Sequence, residues 1–216
     1  MKKYLGWIVL TLVVVGCLGV LYFFSGNKSN QENIKANVPE VVETDHVRGV
    51  IENYKVTLIE YSDFQCPACA AYEPVIEQLL KDFPNELRLV YRHFPLSTLH
   101  KNAELAARAA EAVGKQGKYW EMHDKLFETQ KDWESNLVGA KEVFVGYAKG
   151  LGLNSEAFST DMDSGEIADR VQNDLNQAKS LGLSGTPSFF VNGKKIDNPR
   201  SYDEFNKLIK SEITQN

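Results

Sequence analysis

The chain has 216 residues, 43% of them hydrophobic and 25% charged, with a formal net charge of −5. That balance excludes a disordered or low-complexity polymer, and the length allows one domain, or one domain with an insertion, to bury a core. The acidic balance leaves no basic footprint for nucleic acid. The three cysteines, Cys17, Cys66 and Cys69, are too few for a disulfide scaffold.

Residues 4–24 form an uncharged run of 21 residues directly after Lys2 and Lys3. About 20 apolar residues cross the hydrocarbon of a bilayer as a helix. Segment 1–24 is therefore expected as a signal-anchor or transmembrane helix. Its two lysines would stay cytoplasmic and the remaining chain would lie outside. Two alternatives share that outcome. Cleavage as a signal peptide is opposed by the length of the run and by the lack of a small-residue exit. Lipidation at Cys17, in the lipobox-like Val14-Val15-Gly16-Cys17, is opposed by the apolar residues that follow. The polar stretch 25–46 offers nothing to bury and is expected as a flexible linker.

Lys55–Tyr61 is β-branched and apolar, which predicts a central strand. It leads through Ser62-Asp63-Phe64-Gln65 to Cys66-Pro67-Ala68-Cys69. An amphipathic helix is predicted over 70–83, with Pro67 suited to its first turn and Pro74 expected to kink it. Leu87–His93 is a second strand, completing a parallel βαβ unit. From Ser97 to Leu181 the pattern is helical. One stripe runs from Leu99 through Ala103, Ala106, Ala107 and Ala110 to Val113. Further helices are predicted over 119–130, 138–149 and 167–180, with Leu153–Gly165 as a connection. Ser188–Val191 and Lys194–Ile196 read as a hairpin turning at Asn192-Gly193, and Tyr202–Ile213 as a closing helix. The domain expectation is a core in two halves, 47–97 and 182–216, around an inserted helical domain, 98–181.

The chemistry concentrates at Cys66 and Cys69. A Cys-x-x-Cys closes a disulfide only where the backbone brings the two Cβ atoms together. The first turn of a helix does so, and its free N–H groups and macrodipole stabilise a thiolate, the nucleophile of disulfide exchange. Cys66 is accordingly the expected attacking sulfur and Cys69 the resolving one. Half of a zinc site is the competing reading, but no second pair exists and His46, His93, His100 and His123 are scattered in sequence. A structural disulfide across so small a loop would constrain little of the unfolded chain. A pair of unrelated core cysteines fits poorly with the strand–Cys-Pro-Ala-Cys–helix context.

Cys66-Pro67-Ala68-Cys69 after a strand, together with Gly185-Thr186-Pro187-Ser188-Phe189-Phe190-Val191 about 120 residues later, resembles the DsbA-like branch of the thioredoxin superfamily. The likeness covers roughly residues 48–213 and is greatest to the membrane-tethered oxidases of Gram-positive bacteria. It implies an α/β thioredoxin-like fold with an inserted helical domain, preceded by the transmembrane helix. It further implies that Pro187 is a cis-proline against the disulfide and that the Thr186 backbone pairs with substrate, although Thr-Pro read locally is a turn before a strand. Glu60, six residues before Cys66, would be a buried acid exchanging a proton with Cys69. Asp63 is a weaker candidate for chemistry or loop shaping. One departure stands out. Strong oxidases of this branch carry histidine where this chain has Ala68, so the thiolate must rely on the helix terminus and backbone amides, which implies a weaker oxidant.

The resulting expectation is an extracytoplasmic thiol:disulfide oxidoreductase that introduces disulfides into exported proteins. It needs no cofactor and no metal, and a quinone-linked membrane protein (DsbB- or VKOR-like, by family analogy) would reoxidise it. The alternatives are a reductase or isomerase with the same site, and a membrane-anchored peptide-binding or chaperone module using a groove near Pro187. The acidic residues Asp161, Asp163 and Glu166 lack a complete calcium-loop pattern and read as a solvated helix start.

Overall fold

The computed structural model describes residues 38–215. The expected membrane segment 1–24 and most of the expected linker lie outside them. Among the described residues, no helix is long and apolar enough to cross a membrane.

Strands β1 (His46–Gly49), β2 (Val56–Ser62), β3 (Leu87–His93), β4 (Ser188–Val191) and β5 (Lys194–Lys195) form one sheet in the order β1-β3-β2-β4-β5. β2 and β3 are parallel, joined by helix α1 (Pro67–Asp82), while the other pairings are antiparallel. Every residue of β2 is buried, because layers cover both faces of this central strand. On one face Val56 and Leu58 pack with Ile76 and Leu79 of α1 and with Phe205 and Ile209 of α8 (Tyr202–Gln215). On the other, Ile59 and Tyr61 pack with Val90, Phe190 and Leu183. The β4–β5 hairpin turns at Asn192 and Gly193, whose φ values of 48° and 80° suit the two left-handed positions of a type I′ turn.

The insertion comprises α2 (Ala103–Gly114), α3 (Tyr119–Glu128), α4 (Gln130–Trp133), α5 (Ala140–Gly150), α6 (Ser155–Met162) and α7 (Gly165–Ser180). It has no separate core. Trp133, Phe144 and Phe158 belong to one cluster with Phe64, Tyr91, Cys66 and Cys69, so the insertion is packed directly against the cysteine-bearing loop.

Four differences from the sequence expectations have physical causes. The connection 153–165 contains α6, started by Asn154, whose side chain accepts from the amides of Glu156 and Ala157, and anchored by buried Phe158 and Met162. Leu99 does not join the α2 stripe: the helix begins four residues later, and Leu99 is 74% exposed. The last part of the expected linker is packed: Val38 is buried, and Asp45 makes two hydrogen bonds, 2.8 and 3.0 Å long, with the fully buried Arg92. Finally, His46–Gly49 adds an edge strand for which four residues of mixed polarity gave no pattern. Pro74 lies inside α1 without ending it.

Candidate active site

Strand β2 delivers the chain to the site. After Ser62, Asp63 shapes the loop: its carbonyl accepts from the Cys66 amide at 2.9 Å, and its carboxylate accepts from the amides of Gln65 and Leu96 and lies 2.7 Å from His100 Nδ1. Asp63 is thus a loop-shaping residue. Cys66 is the N-cap of α1, in extended conformation and without a side-chain cap, with Pro67 at the first helical position. The unpaired N–H groups of the first turn therefore face its sulfur.

The insertion clasps this loop through side-chain amides. Gln130 Nε2 donates to the carbonyls of Phe64 (2.8 Å) and Cys66 (3.2 Å). Gln65 Nε2 donates to Glu134 O and its Oε1 accepts from the Asn102 amide, both at 2.7 Å. No sequence pattern announces these contacts, since each joins residues about 40 to 70 apart.

Cys66 and Cys69 are unbridged; Cys66 is 7% exposed and Cys69 is sealed. Their environments separate them. The Cys66 thiol is pulled down to about 5, first by a hydrogen bond from the Cys69 thiol, against the cost of burial, and then by the Thr186 side chain and the amides of Cys69 and Ala68. The Thr186 carbonyl, 3.5 Å from the Cys66 sulfur, is a contact that only the protonated thiol can use as a donor. Burial drives the Cys69 thiol well above the usual range, and the hydrogen bond it gives to Cys66, together with the Glu60 charge, adds to the rise. One sulfur is built to be an anion and its neighbour to be a thiol.

The Thr186–Pro187 peptide is cis. It precedes β4, whose Ser188 is in register with Tyr61 of β2, so the loop comes alongside the end of β2 and the start of α1. Asn198 Nδ2 donates to the Pro187 carbonyl and Ser188 Oγ to that of Gly185, each at 2.8 Å.

Glu60 lies in β2, flanked by Tyr91 of β3 and Phe189 of β4, and is fully buried. Neither carboxylate oxygen makes a hydrogen bond. Burial pushes its carboxyl up to about 7, with the nearby Ser62 hydroxyl in partial opposition. An acid that titrates near neutrality beside a thiol that resists ionisation is suited to proton exchange.

Among the described residues, one cluster has the composition of a metal site. His46 and His93, scattered in sequence, converge so that each Nε2 lies 2.8 Å from Glu111 Oε1. The structure fills this role with protein donors. Although burial opposes ionisation, the two imidazoles hold the Glu111 carboxyl well below its usual range. Arg170 Nε is 3.7 Å from the same oxygen and further neutralises it. The cluster ties β1, β3, α2 and α7 together. The acidic residues near the start of α7 are likewise internally paired: Lys115 bridges Asp161 and Glu166, and Lys141 bonds Asp163.

A five-stranded sheet interrupted by a helical insertion, with a Cys-x-x-Cys at a helix start beside a cis-proline, defines a thioredoxin-type fold of the DsbA-like kind. A thioredoxin family profile matches residues 41–211, and the chain belongs to that family. Among solved structures it is similar to oxidised BdbD from Bacillus subtilis, at 28% identity and a TM-score of 0.70, covering 79% of this chain and 93% of that one. It is also similar in fold to α-DsbA1 from Wolbachia pipientis, at 21% identity and a TM-score of 0.73, covering 84% and 96% of the two chains. Among curated proteins, 158 residues align at 42% identity with Na(+)/H(+) antiporter NhaA 1 of Salinispora arenicola, covering 73% of this chain and 23% of that protein. The chain thus spans about a quarter of the length of the curated relatives it matches.

Proposed function

We propose that the chain is an extracytoplasmic protein thiol:disulfide oxidoreductase working in the oxidising direction through Cys66 and Cys69. A substrate thiolate attacks Cys66 Sγ of the disulfide form. The substrate–Cys66 bond forms, the Cys66–Cys69 bond breaks, and its electron pair leaves on Cys69, which takes a proton from Glu60. A second substrate thiolate then attacks the substrate sulfur of the mixed disulfide and expels Cys66 as thiolate. The substrate leaves oxidised by two electrons and the protein is left reduced, with Cys66 as thiolate, Cys69 as thiol and Glu60 without its proton. Thr186 and Pro187 align the substrate backbone. A quinone-linked membrane protein is the proposed oxidant that restores the disulfide.

The observation that carries the direction is the depressed Cys66 thiol. A sulfur stable as an anion is a good leaving group and favours the reduced protein, so the disulfide form is the oxidant. Backbone amides and the Cys69 thiol supply this stabilisation where the Ala68 methyl cannot. Retention of segment 1–24 as a membrane anchor, with the folded part outside, is proposed from the sequence; cleavage and lipidation at Cys17 are its alternatives.

Equilibration against glutathione tests the reading. The expected reduction potential lies well above the roughly −270 mV of thioredoxin. A value near that figure would assign the site to a reductase. Cys66→Ala is expected to abolish oxidation of a reduced test protein.

A further inference from the structure

Cys66 is held at both ends of its backbone. Its N–H donates to the Asp63 carbonyl at 2.9 Å. Its own carbonyl accepts from the Ala70 amide at 3.1 Å, which starts the ladder of α1, and from Gln130 Nε2 at 3.2 Å. The same nitrogen donates at 2.8 Å to the carbonyl of Phe64, which has no other hydrogen bond among the described residues. One side-chain amide of the insertion thus uses both of its N–H groups on the two carbonyls that bracket Gln65.

Gln130 is itself fixed. It opens the single turn α4, whose far end is the fully buried Trp133. The Trp133 indole N–H donates to the Leu126 carbonyl at 3.1 Å, and its ring meets that of Phe144 edge-on. Asn102 Nδ2, at the start of α2, donates to the Trp133 carbonyl at 2.9 Å. Gln130 is buried, as is Phe64. A buried carbonyl stripped of its donor costs about 1–3 kcal/mol, so without this amide the loop must turn to find another. That movement would be felt at the sulfur. Cys66 is steadied as an anion by the Cys69 S–H and by the amides of Cys69 and Ala68, and hydrogen bonds weaken steeply as they bend. Ala68 has no polar side chain to follow a displaced sulfur.

We propose that Gln130 is a positioning residue through which the helical insertion sets the oxidising strength of the cysteine pair: its amide holds the loop 64–66 so that Cys66 Sγ stays aligned with the donors of the first turn of α1. This rests on the reading of Cys66 and Cys69 as an oxidising exchange site. Gln130 acts through the backbone on either side of Gln65. Removing its amide frees the Phe64 carbonyl, the loop rotates, and the thiolate loses part of its stabilisation. The reduced form then becomes less favourable relative to the disulfide, and the pair becomes a weaker oxidant.

The test compares the full-length wild type with Gln130→Glu, which keeps the shape and sets an acceptor against two carbonyls, and with Gln130→Met, which keeps the length and removes the donors. The Cys66 pKa is read from ultraviolet thiolate absorbance, and the couple is equilibrated against glutathione at neutral pH. Both variants are expected to raise the Cys66 pKa by about one pH unit. The equilibrium should shift about tenfold toward the disulfide, which makes the couple about 30 mV less oxidising. Asp45→Asn is the control for a merely structural defect: it removes a buried ion pair of Arg92 on β3 and should lower stability while leaving both readings at wild-type values. Gln130→Met, with no charge to bury, decides the matter if Gln130→Glu does not fold. A pKa and an equilibrium constant in Gln130→Met equal to those of wild type would overturn the proposal. A wild-type couple no more oxidising than thioredoxin would instead remove the reading beneath it, and the proposal with it.

Discussion

Two identical thiols three residues apart acquire opposite characters because donors converge on one of them while burial dominates the other. Cys66 caps a helix and faces amides and its partner's S–H, whereas Cys69, a turn deeper, meets apolar surface and the Glu60 carboxyl. In the proposed exchange Cys69 takes its proton from Glu60, whose carboxyl burial holds near 7. Glu60→Gln keeps the shape of the side chain and removes the proton. The expected outcome is a mixed disulfide that still forms at Cys66, with reduction of the protein slowed about 10²-fold and its pH profile stripped of the limb near 7. Stopped-flow reduction by dithiothreitol from pH 5 to pH 9 measures both; an unchanged limb would assign it to another group. Glu60 was legible through the family resemblance, which the covered central strand around it supports. The buried approach of Glu73 on α1 to His123 on α3, 3.8 Å apart, was not, because a glutamate on an amphipathic helix is ordinarily solvated and only tertiary packing buries this one.

At the scale of elements, local patterns carried the strands β2–β4 and the long helices, since their periodicity reports the faces that burial selects. What the patterns could not carry was placement through single long-range contacts. The segment 38–46 reads as a polar tether, yet it straps the sheet because Arg92, fully buried on β3, takes its countercharge from Asp45 and donates two further hydrogen bonds to the carbonyls of Pro39 and Glu40. A buried guanidinium must be paired, so the strap is required by a residue 47 positions away in sequence. Asp45→Asn leaves that charge uncompensated. It is expected to destabilise the protein by about 3 kcal/mol, seen as a lower denaturant midpoint at unchanged m-value. A midpoint within error of wild type would show that the strap is incidental. The cysteine pair followed the same division: its spacing and helix-start position were readable, whereas the Gln130, Gln65 and Asn102 clasp that fixes the loop arises only when the insertion docks.

For the whole molecule, redox state and stability are linked through protonation. The Cys66 pKa is depressed in the folded dithiol, to about 5 against about 8.5–9 unfolded, so its contribution is fully present above the unfolded value and lost as the pH falls through 5. At pH 7 that amounts to about two pH units, or roughly 3 kcal/mol, in favour of the folded reduced form. Glu60 acts with the opposite sign: its pKa is raised to about 7, so its contribution is present below the ordinary carboxylate value and fades as the pH rises through 7. Between pH 5 and pH 7 the two slopes oppose one another, and the stability of the reduced protein is expected to be nearly flat there. The oxidised protein lacks the thiolate and retains the Glu60 term, so the gap between the two forms widens with pH. Reduction therefore takes up two protons per two electrons below pH 5 and one above it. The potential should fall by about 59 mV per pH unit in the acidic range and by about 30 mV per pH unit from there to about pH 8. Redox titration against glutathione reads this directly: the equilibrium constant should be constant below pH 5 and rise tenfold per pH unit above it. A constant that stays level up to pH 8 would show that Cys66 is an ordinary thiol, and the oxidising direction would lose its physical basis.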